Sequence, residues 1–328
     1  MPPRVSLAPN PATATAAYVK TRMADYVATL TPETACELLR GAGVICSPGE
    51  VQIFARDERW AVQLPGDRIA WFPASEPGNR RLATERRVLS LIAARCSFQI
   101  PRVVFMSDLG FEVRQMVPGR YDPWALFYRC KADWKLARRI GRAIGAILAE
   151  QHAKIREADV AGWLAHRVAW PESGDWISER LPVVADDDAF IHAMRKVIAQ
   201  YEAVQVGTNE RVLIHGDIGL HNLALDPQTD IVNGIFDYDS AAWADRHHDF
   251  RYLLFDIGRE DMFDAALEVY EPAVGECINR DRVRLYNAAC AISYLAFRAG
   301  HPAEAKPCGR TLAEDIRWVR TALSKVKI

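Results

Sequence analysis

The chain has 328 residues, half of them hydrophobic and a quarter charged, with a formal net charge of −1. That length holds one large domain or two smaller ones with ample core, and the near-neutral charge gives no electrostatic case for nucleic acid or a membrane surface as partner. No apolar run nears the roughly 20 residues of a membrane span, and seven scattered cysteines without a CxxC pair argue against a disulfide framework or zinc knot and for a reducing cytoplasm.

Residues 1–17, rich in Pro, Ala and Thr, lack the apolar centre of a secretory signal and read as a flexible tail. Helices are predicted over Tyr18–Leu30 and Pro32–Leu39, the second started by Thr31-Pro32 and stopped at Gly41. Three strands follow, Glu50–Ala55, Trp60–Leu64 and Arg68–Phe72, separated by turns at 56–58 and 65–67. Helical spacing returns over Asn79–Ala94. Two more strands, Val103–Met106 and Phe111–Val117, end at Pro118-Gly119. Beyond them the chain reads mainly as helix: Trp134–Ala153, Ala189–Val204, Phe250–Ile257, Met262–Tyr270, Asp281–Ala299 and Leu312–Leu323. The GxG at Gly41–Gly43 lacks the preceding strand and third glycine of a dinucleotide fingerprint, and no P-loop occurs.

The chemistry concentrates in one stretch. Val212–Ile214 is a short apolar strand that ends at His215-Gly216-Asp217. Asn222 opens a second apolar run, Leu223–Leu225; Asp226–Asp230 is a turn by composition; a third run, Ile231–Phe236, ends at Asp237. Two runs joined by a tight polar turn make an antiparallel hairpin. With the turn centred near Gln228, Asn222 falls opposite Ile235, one strand spacing of about 4.8 Å away. Asp217, Asn222 and Asp237 then converge. Hard oxygen donors of this kind suit a magnesium ion that also holds phosphate oxygens, and phosphoryl transfer needs such an ion plus a carboxylate to take the proton of the attacking hydroxyl. Either aspartate alone reads equally as a turn residue; the two with Asn222 between them do not.

His-Gly-Asp, four residues, Asn222, then an apolar-Asp-aromatic turn at Asp237 resembles the aminoglycoside phosphotransferase and choline kinase superfamily, relatives of the protein kinases. The resemblance implies a bilobal α+β protein-kinase-like fold. Its small lobe, an antiparallel sheet plus helix over 18–117, would bind nucleotide; its mainly helical large lobe over 118–328 would carry catalysis and the substrate. It implies transfer of the γ-phosphate of ATP or GTP, with Mg2+, to a small-molecule hydroxyl, with Asp217 as base and Asn222 and Asp237 as metal ligands. His215 would brace the catalytic loop, and Asp239 would touch metal through water or sit in an exposed turn. Gln115, Met116 and Val117 match the hinge that offers backbone groups to the base of the nucleotide, and His152 matches a structural histidine. Glu85 matches a helix glutamate that pairs with a basic residue on the third strand; its other reading is an exposed partner of Arg81 or Arg86. That strand, Ile69–Pro73, holds no Lys or Arg, and Trp71 occupies the matching position. Arg68, Arg80 and Arg81 are the nearby basic candidates.

The acceptor is open between antibiotics (aminoglycoside or macrolide), sugars, amino alcohols and homoserine-like compounds. Asp186–Asp188, Glu172 and Asp175 would suit a cationic substrate; Trp163, Trp170 and Trp176 would suit an apolar one. Two other functions compete: a metal-dependent hydrolase built on His215, Asp217, His221, Asp237, His247, His248 and Asp249, and a nucleotide-binding protein without catalysis, which Trp71 motivates.

Overall fold

A computed structural model describes residues 29–56, 58–255, 260–306 and 309–327. The expected tail at 1–17, nearly all of the helix expected over Tyr18–Leu30, the turn residue Asp57 and Cys308 lie outside the described residues. The chain divides into two compact units. One runs to Ser90 and takes in Ile100–Pro118; the other holds Leu91–Gln99 and everything from Gly119 onward.

The first unit opens with α1 (Pro32–Gly41), where the Thr31 hydroxyl accepts from the Thr34 N–H and Pro32 fills the first turn. Five strands follow, β1 (Gln52–Arg56), β2 (Arg59–Leu64), β3 (Arg68–Pro73), β4 (Arg102–Met106) and β5 (Glu112–Gln115), all antiparallel in the order β1-β2-β3-β5-β4. The expected last strand, Phe111–Val117, is shorter, and past its end the Met116 N–H still donates to the Asp67 carbonyl that faces it across the ladder. Side chains alternate across a pleated sheet. Val62, Leu64, Ala70, Phe72 and Val113 pack with Ala35, Leu38 and Leu39 of α1 in one core. The opposite face carries Arg59, Ala61, Trp71, Glu112 and Arg114. The long helix α2 (Glu76–Arg95) supplies Glu85 to Arg59 and Arg114.

The second unit is built on helices. Two of them, α3 (Pro123–Ala132) and α5 (Gly174–Val184), escape the sequence reading. The first is crowded with aromatics that blur its period, and the second contains Pro182. Both have side-chain caps, Asp122 to the Ala125 N–H and Ser173 to the Trp176 N–H. Between them runs α4 (Trp134–Lys154), which buries Ile140, Ile144, Ile147 and Leu148. It packs against α7 (Glu260–Val274) so closely that a Cβ on Gly145 would collide with the Ala266 carbonyl. Helices α5, α6 (Asp188–Glu202), α8 (Arg280–Phe297) and α9 (Leu312–Leu323) close a second core around Ile177, Leu181, Met194, Ile292 and Leu295.

Two small ladders complete this unit: β6 (Arg211–Ile214) with β9 (Ala242–Asp245), and β7 (Leu223–Leu225) with β8 (Val232–Ile235). The hairpin forms, but Leu223, not Asn222, stands opposite Ile235. The register shifts between Ala224 and Leu225, and the turn is tightened by Asp226, whose carboxylate accepts from Gln228 and Thr229. Of the helix expected over Phe250–Ile257, residues 256–257 lie outside the described residues; the described part falls in two helical segments, His247–Phe250 and Tyr252–Phe255, interrupted at Arg251. Arg251 gives its guanidinium to the carbonyls of His248 and Gly216, each at 2.7 Å.

Candidate active site

The buried strand β6 delivers His215-Gly216-Asp217 to a tight loop. Gly216 sits at φ +83°, and a side chain there would strike the Ser240 carbonyl, so the loop needs glycine. Asp249 grips the loop: its carboxylate accepts from the His215 N–H at 2.9 Å and the Gly216 N–H at 2.8 Å. His152 lies 3.2 Å from the same carboxylate and 2.9 Å from the Tyr270 hydroxyl. Gln151, the preceding residue of α4, donates to the Leu213 carbonyl and accepts from the Tyr238 hydroxyl, both at 2.7 Å. Burial lifts the Asp249 carboxyl, but the His152 hydrogen bond and the surrounding donors outweigh it and hold it below the usual carboxylate range.

His215 is fully buried between two backbone groups. Its Nδ1 accepts from the Asp217 N–H at 3.2 Å, so its Nε2 is the donor to the Phe236 carbonyl at 3.0 Å. This ring therefore bridges the loop to the end of β8. Burial pushes the His215 imidazole below its ordinary value, so the neutral ring is the stable form.

Asp217 is 28% exposed. Burial raises its carboxyl, and the His221 hydrogen bond, the Tyr252 hydroxyl and the Arg251 charge reverse that and lower it. Asn222 is almost wholly buried, and its Nδ2 donates to the Asp217 carbonyl at 2.8 Å and approaches Oδ2 of Asp217 at 3.3 Å. The Asn222 carbonyl in turn accepts from the Phe236 N–H at 3.1 Å. Asp237 is the next residue, exposed, at φ 69° and ψ 63°. Left-handed backbone costs a non-glycine residue about 1–2 kcal/mol, least for Asp and Asn. Asp217 and Asn222 are thus in contact, and Asp237 follows a residue hydrogen-bonded to both the Asn222 backbone and the His215 ring. The Asn222 amide oxygen and the Asp237 carboxylate are by their chemistry hard donors of the kind that suits a magnesium ion. Asp239 lies in the short turn Tyr238–Ser240 just beyond.

The remaining sequence candidates fall elsewhere. Asp245 accepts from the N–H of His247 and from the Tyr286 hydroxyl and meets Arg282, so it belongs to the scaffold. His247 is held by Asp245 and the Asn279 N–H, and His248 stacks on Tyr286. Among the described residues, no three His, Cys, Asp or Glu side chains form a group that could hold a metal ion. Asp187 caps α6 and pairs with Arg320. Trp163 and Trp170 donate their indole N–H to the carbonyls of Asp159 and Cys290, and Trp176 stacks under Arg180. Arg251 and Tyr252 are not among the sequence candidates, and His221 is weighed there only as a metal ligand.

In the first unit, Glu85 is buried rather than exposed, and it meets basic residues on β5 and β2: Nη1 of Arg114 lies 2.8 Å away and Nη1 of Arg59 3.8 Å. Arg68 donates to the Pro65 carbonyl and Arg80 pairs with Glu76, so both are engaged locally. Gln115 donates to the carbonyls of Gly66 and Asp67, Met116 has its N–H committed to Asp67, and Val117 is buried.

Solved structures similar to this one include antibiotic phosphotransferases. The complex of APH(2")-IIia with GDP and kanamycin is 19% identical, covers 89% of this chain and 96% of its own, and superposes with a TM-score of 0.62. The apoenzyme of macrolide 2'-phosphotransferase MphH from Brachybacterium faecium is 18% identical, with 90% and 99% covered and a TM-score of 0.58. Spectinomycin phosphotransferase APH(9)-Ia, solved with ADP and spectinomycin, is 12% identical, with 89% and 98% covered and a TM-score of 0.60. No curated protein matches the sequence at a significant level. The fold is therefore the kinase-like fold of these enzymes. The profile of the phosphotransferase enzyme family matches residues 50–286, and the chain belongs to that family. It is a transferase, a kinase acting on a hydroxyl acceptor.

Proposed function

We propose that this enzyme moves the γ-phosphate of ATP or GTP to a hydroxyl of a small-molecule antibiotic, an aminoglycoside or macrolide, with Mg2+ as cofactor. The observation that carries the reading is the contact between Asn222 and Asp217 at the mouth of the β7–β8 hairpin, with Asp237 one residue past the Asn222–Phe236 hydrogen bond. The first unit, with Glu85 and the segment Gln115–Val117, would bind the nucleotide; the second would carry catalysis and acceptor binding.

Asp217 orients the acceptor hydroxyl and takes its proton as the oxygen attacks phosphorus. Its lowered carboxyl keeps it ionised at neutral pH. Asn222 and Asp237 would hold the magnesium ion, which when bound neutralises charge on the phosphate oxygens. The Asn222 amide also fixes the Asp217 loop, and His215 ties that loop to the residue before Asp237. The acceptor class is supported by the ligands of the similar structures, kanamycin and spectinomycin.

The test is a coupled assay of ATP and GTP consumption against aminoglycosides, macrolides and simple hydroxyl compounds, run on the parent and on Asp217→Asn. The variant should bind nucleotide like the parent and lose at least a thousandfold in kcat. Equal turnover in the two proteins would remove Asp217 from the mechanism, and no consumption with any acceptor would remove the function.

A further inference from the structure

We propose that Arg114, assisted by Arg59, supplies the positive charge for the nucleotide phosphates that the third strand lacks, so that this charge has moved from β3 to its neighbours β5 and β2. The inference rests on the reading of the first unit as the nucleotide-binding one.

Trp71 stands in the middle of the sheet face that looks away from α1. Directly across the ladders are Ala61 on β2 and Glu112 on β5. Two residues along those strands, on the same face, come Arg59 and Arg114. Their guanidinium carbons lie 5.2 and 5.7 Å from the centroid of the Trp71 rings. The uncharged indole is therefore flanked by two cations that it stacks against.

Both cations are tied to α2. Nη1 of Arg114 is 2.8 Å and Nη1 of Arg59 is 3.8 Å from Glu85. Nε of Arg114 donates to Glu112 at 2.6 Å, and Arg86 of α2 also pairs with Glu112. Nη2 of Arg114 comes within ion-pair reach of Glu112 but makes no hydrogen bond of acceptable geometry. Arg59, Glu85, Glu112 and Arg114 are each under 5% exposed, while Trp71 is half-buried beside them.

Taking ions out of water costs several kcal/mol each, and well-packed apolar residues usually serve stability as well or better. The same face already accepts Trp71 and Ala61, so packing alone does not call for four buried charges there. A phosphate-binding role does. Arginine is always charged and presents a planar fork that matches two phosphate oxygens. Glu85 and Glu112 hold that fork in orientation as positioning residues, and the N–H groups of Arg114 that they leave over are the ones a phosphate would take.

The experiment is calorimetric titration of the full chain with ATP and GTP and, separately, with adenosine and guanosine, which have the base and sugar but no phosphate. Arg114→Met should weaken triphosphate binding at least tenfold and leave nucleoside binding within twofold; Arg59→Met should do the same to a smaller degree. Arg114→Met strands two buried carboxylates, so Arg114→Lys, which keeps the charge and loses the fork, is measured beside it and should fall between. Adding Trp71→Lys to Arg114→Met should restore at least fivefold of the lost triphosphate affinity. Folded Arg59 and Arg114 variants that keep the parent's preference for triphosphate over nucleoside would overturn the proposal while leaving the nucleotide-binding reading intact. A parent that binds no triphosphate would overturn both.

Discussion

The carboxylate of Asp249 and the backbone N–H of Gly216 meet at 2.8 Å across 33 residues of chain, and the same carboxylate takes the N–H of His215 at 2.9 Å. Asp249 is fully buried, so Asp249→Ala leaves two loop donors and His152 without their acceptor. Hydrogen bonds to a buried charge contribute about 1.5–3 kcal/mol each. Asp249→Ala should therefore lower stability by at least about 3 kcal/mol, read as a lower urea midpoint at constant m-value. In the fraction that stays folded, kcat should fall while the nucleotide KM holds, because the defect lies in the loop of Asp217, the proposed base.

Asp237 offers the opposite balance. Glycine at this left-handed position relieves the steric cost and adds backbone entropy to the unfolded chain, and the two effects nearly cancel. Asp237→Gly should unfold within about 1 kcal/mol of the parent, yet transfer should drop by at least a hundredfold, and added Mg2+ should not recover it. A variant that is both active and equally stable would show that the carboxylate has no part in the reaction.

The contact of α4 with α7 predicts a packing defect. Gly145→Ala places a methyl group against the Ala266 carbonyl, where there is no room. Overpacking of this kind costs about 1–3 kcal/mol, which thermal unfolding would show as a lowered Tm. Substitution at Gly41, where nothing lies within 4 Å of an added Cβ, serves as the control.

Acid should destabilise the enzyme in a window set by histidines. His152, His215 and His248 are all buried with lowered imidazole values, and burial together with the Arg251 charge brings His248 to about 3. The unfolded chain binds these protons near pH 6.5 while the folded chain does not. The unfolded state thus gains protons first, and stability falls progressively as pH drops below about 6.5. The carboxylates of Asp217 and Asp249, held low in the fold, add a further loss below about pH 4. A Tm measured from pH 8 to pH 4 should be flat above 7 and fall below it, and His248→Gln should shrink the drop between pH 7 and 5.

Much of this architecture is legible in the residues themselves. The strands of the first unit are read to within two residues because turn residues bracket each apolar run, as Pro65-Gly66-Asp67 does between β2 and β3. The hairpin at Leu223–Ile235 is legible for the same reason, but its register is not. The irregularity between Ala224 and Leu225 has no mark in sequence and moves Asn222 from Ile235 to Phe236. The pairing of Glu85 with Arg114 is hidden differently: Arg114 follows it by 29 positions and lies on β5, beside β3 in the sheet. Local charge patterns point to Arg81 and Arg86 because helix neighbours are visible in sequence and strand neighbours are not.

The β7–β8 hairpin has only three paired rungs, yet it is held on two further edges: Gln99 forms a parallel bridge to Gly234, and Arg120 an antiparallel one to Leu225. Four stretches from positions 99 to 235 must meet before Asn222 and Asp237 have their settings, and contacts that join distant parts of a chain form slowly. On dilution from denaturant, the helical signal should thus recover before the enzyme regains turnover, and the interval between them would time the closing of that hairpin.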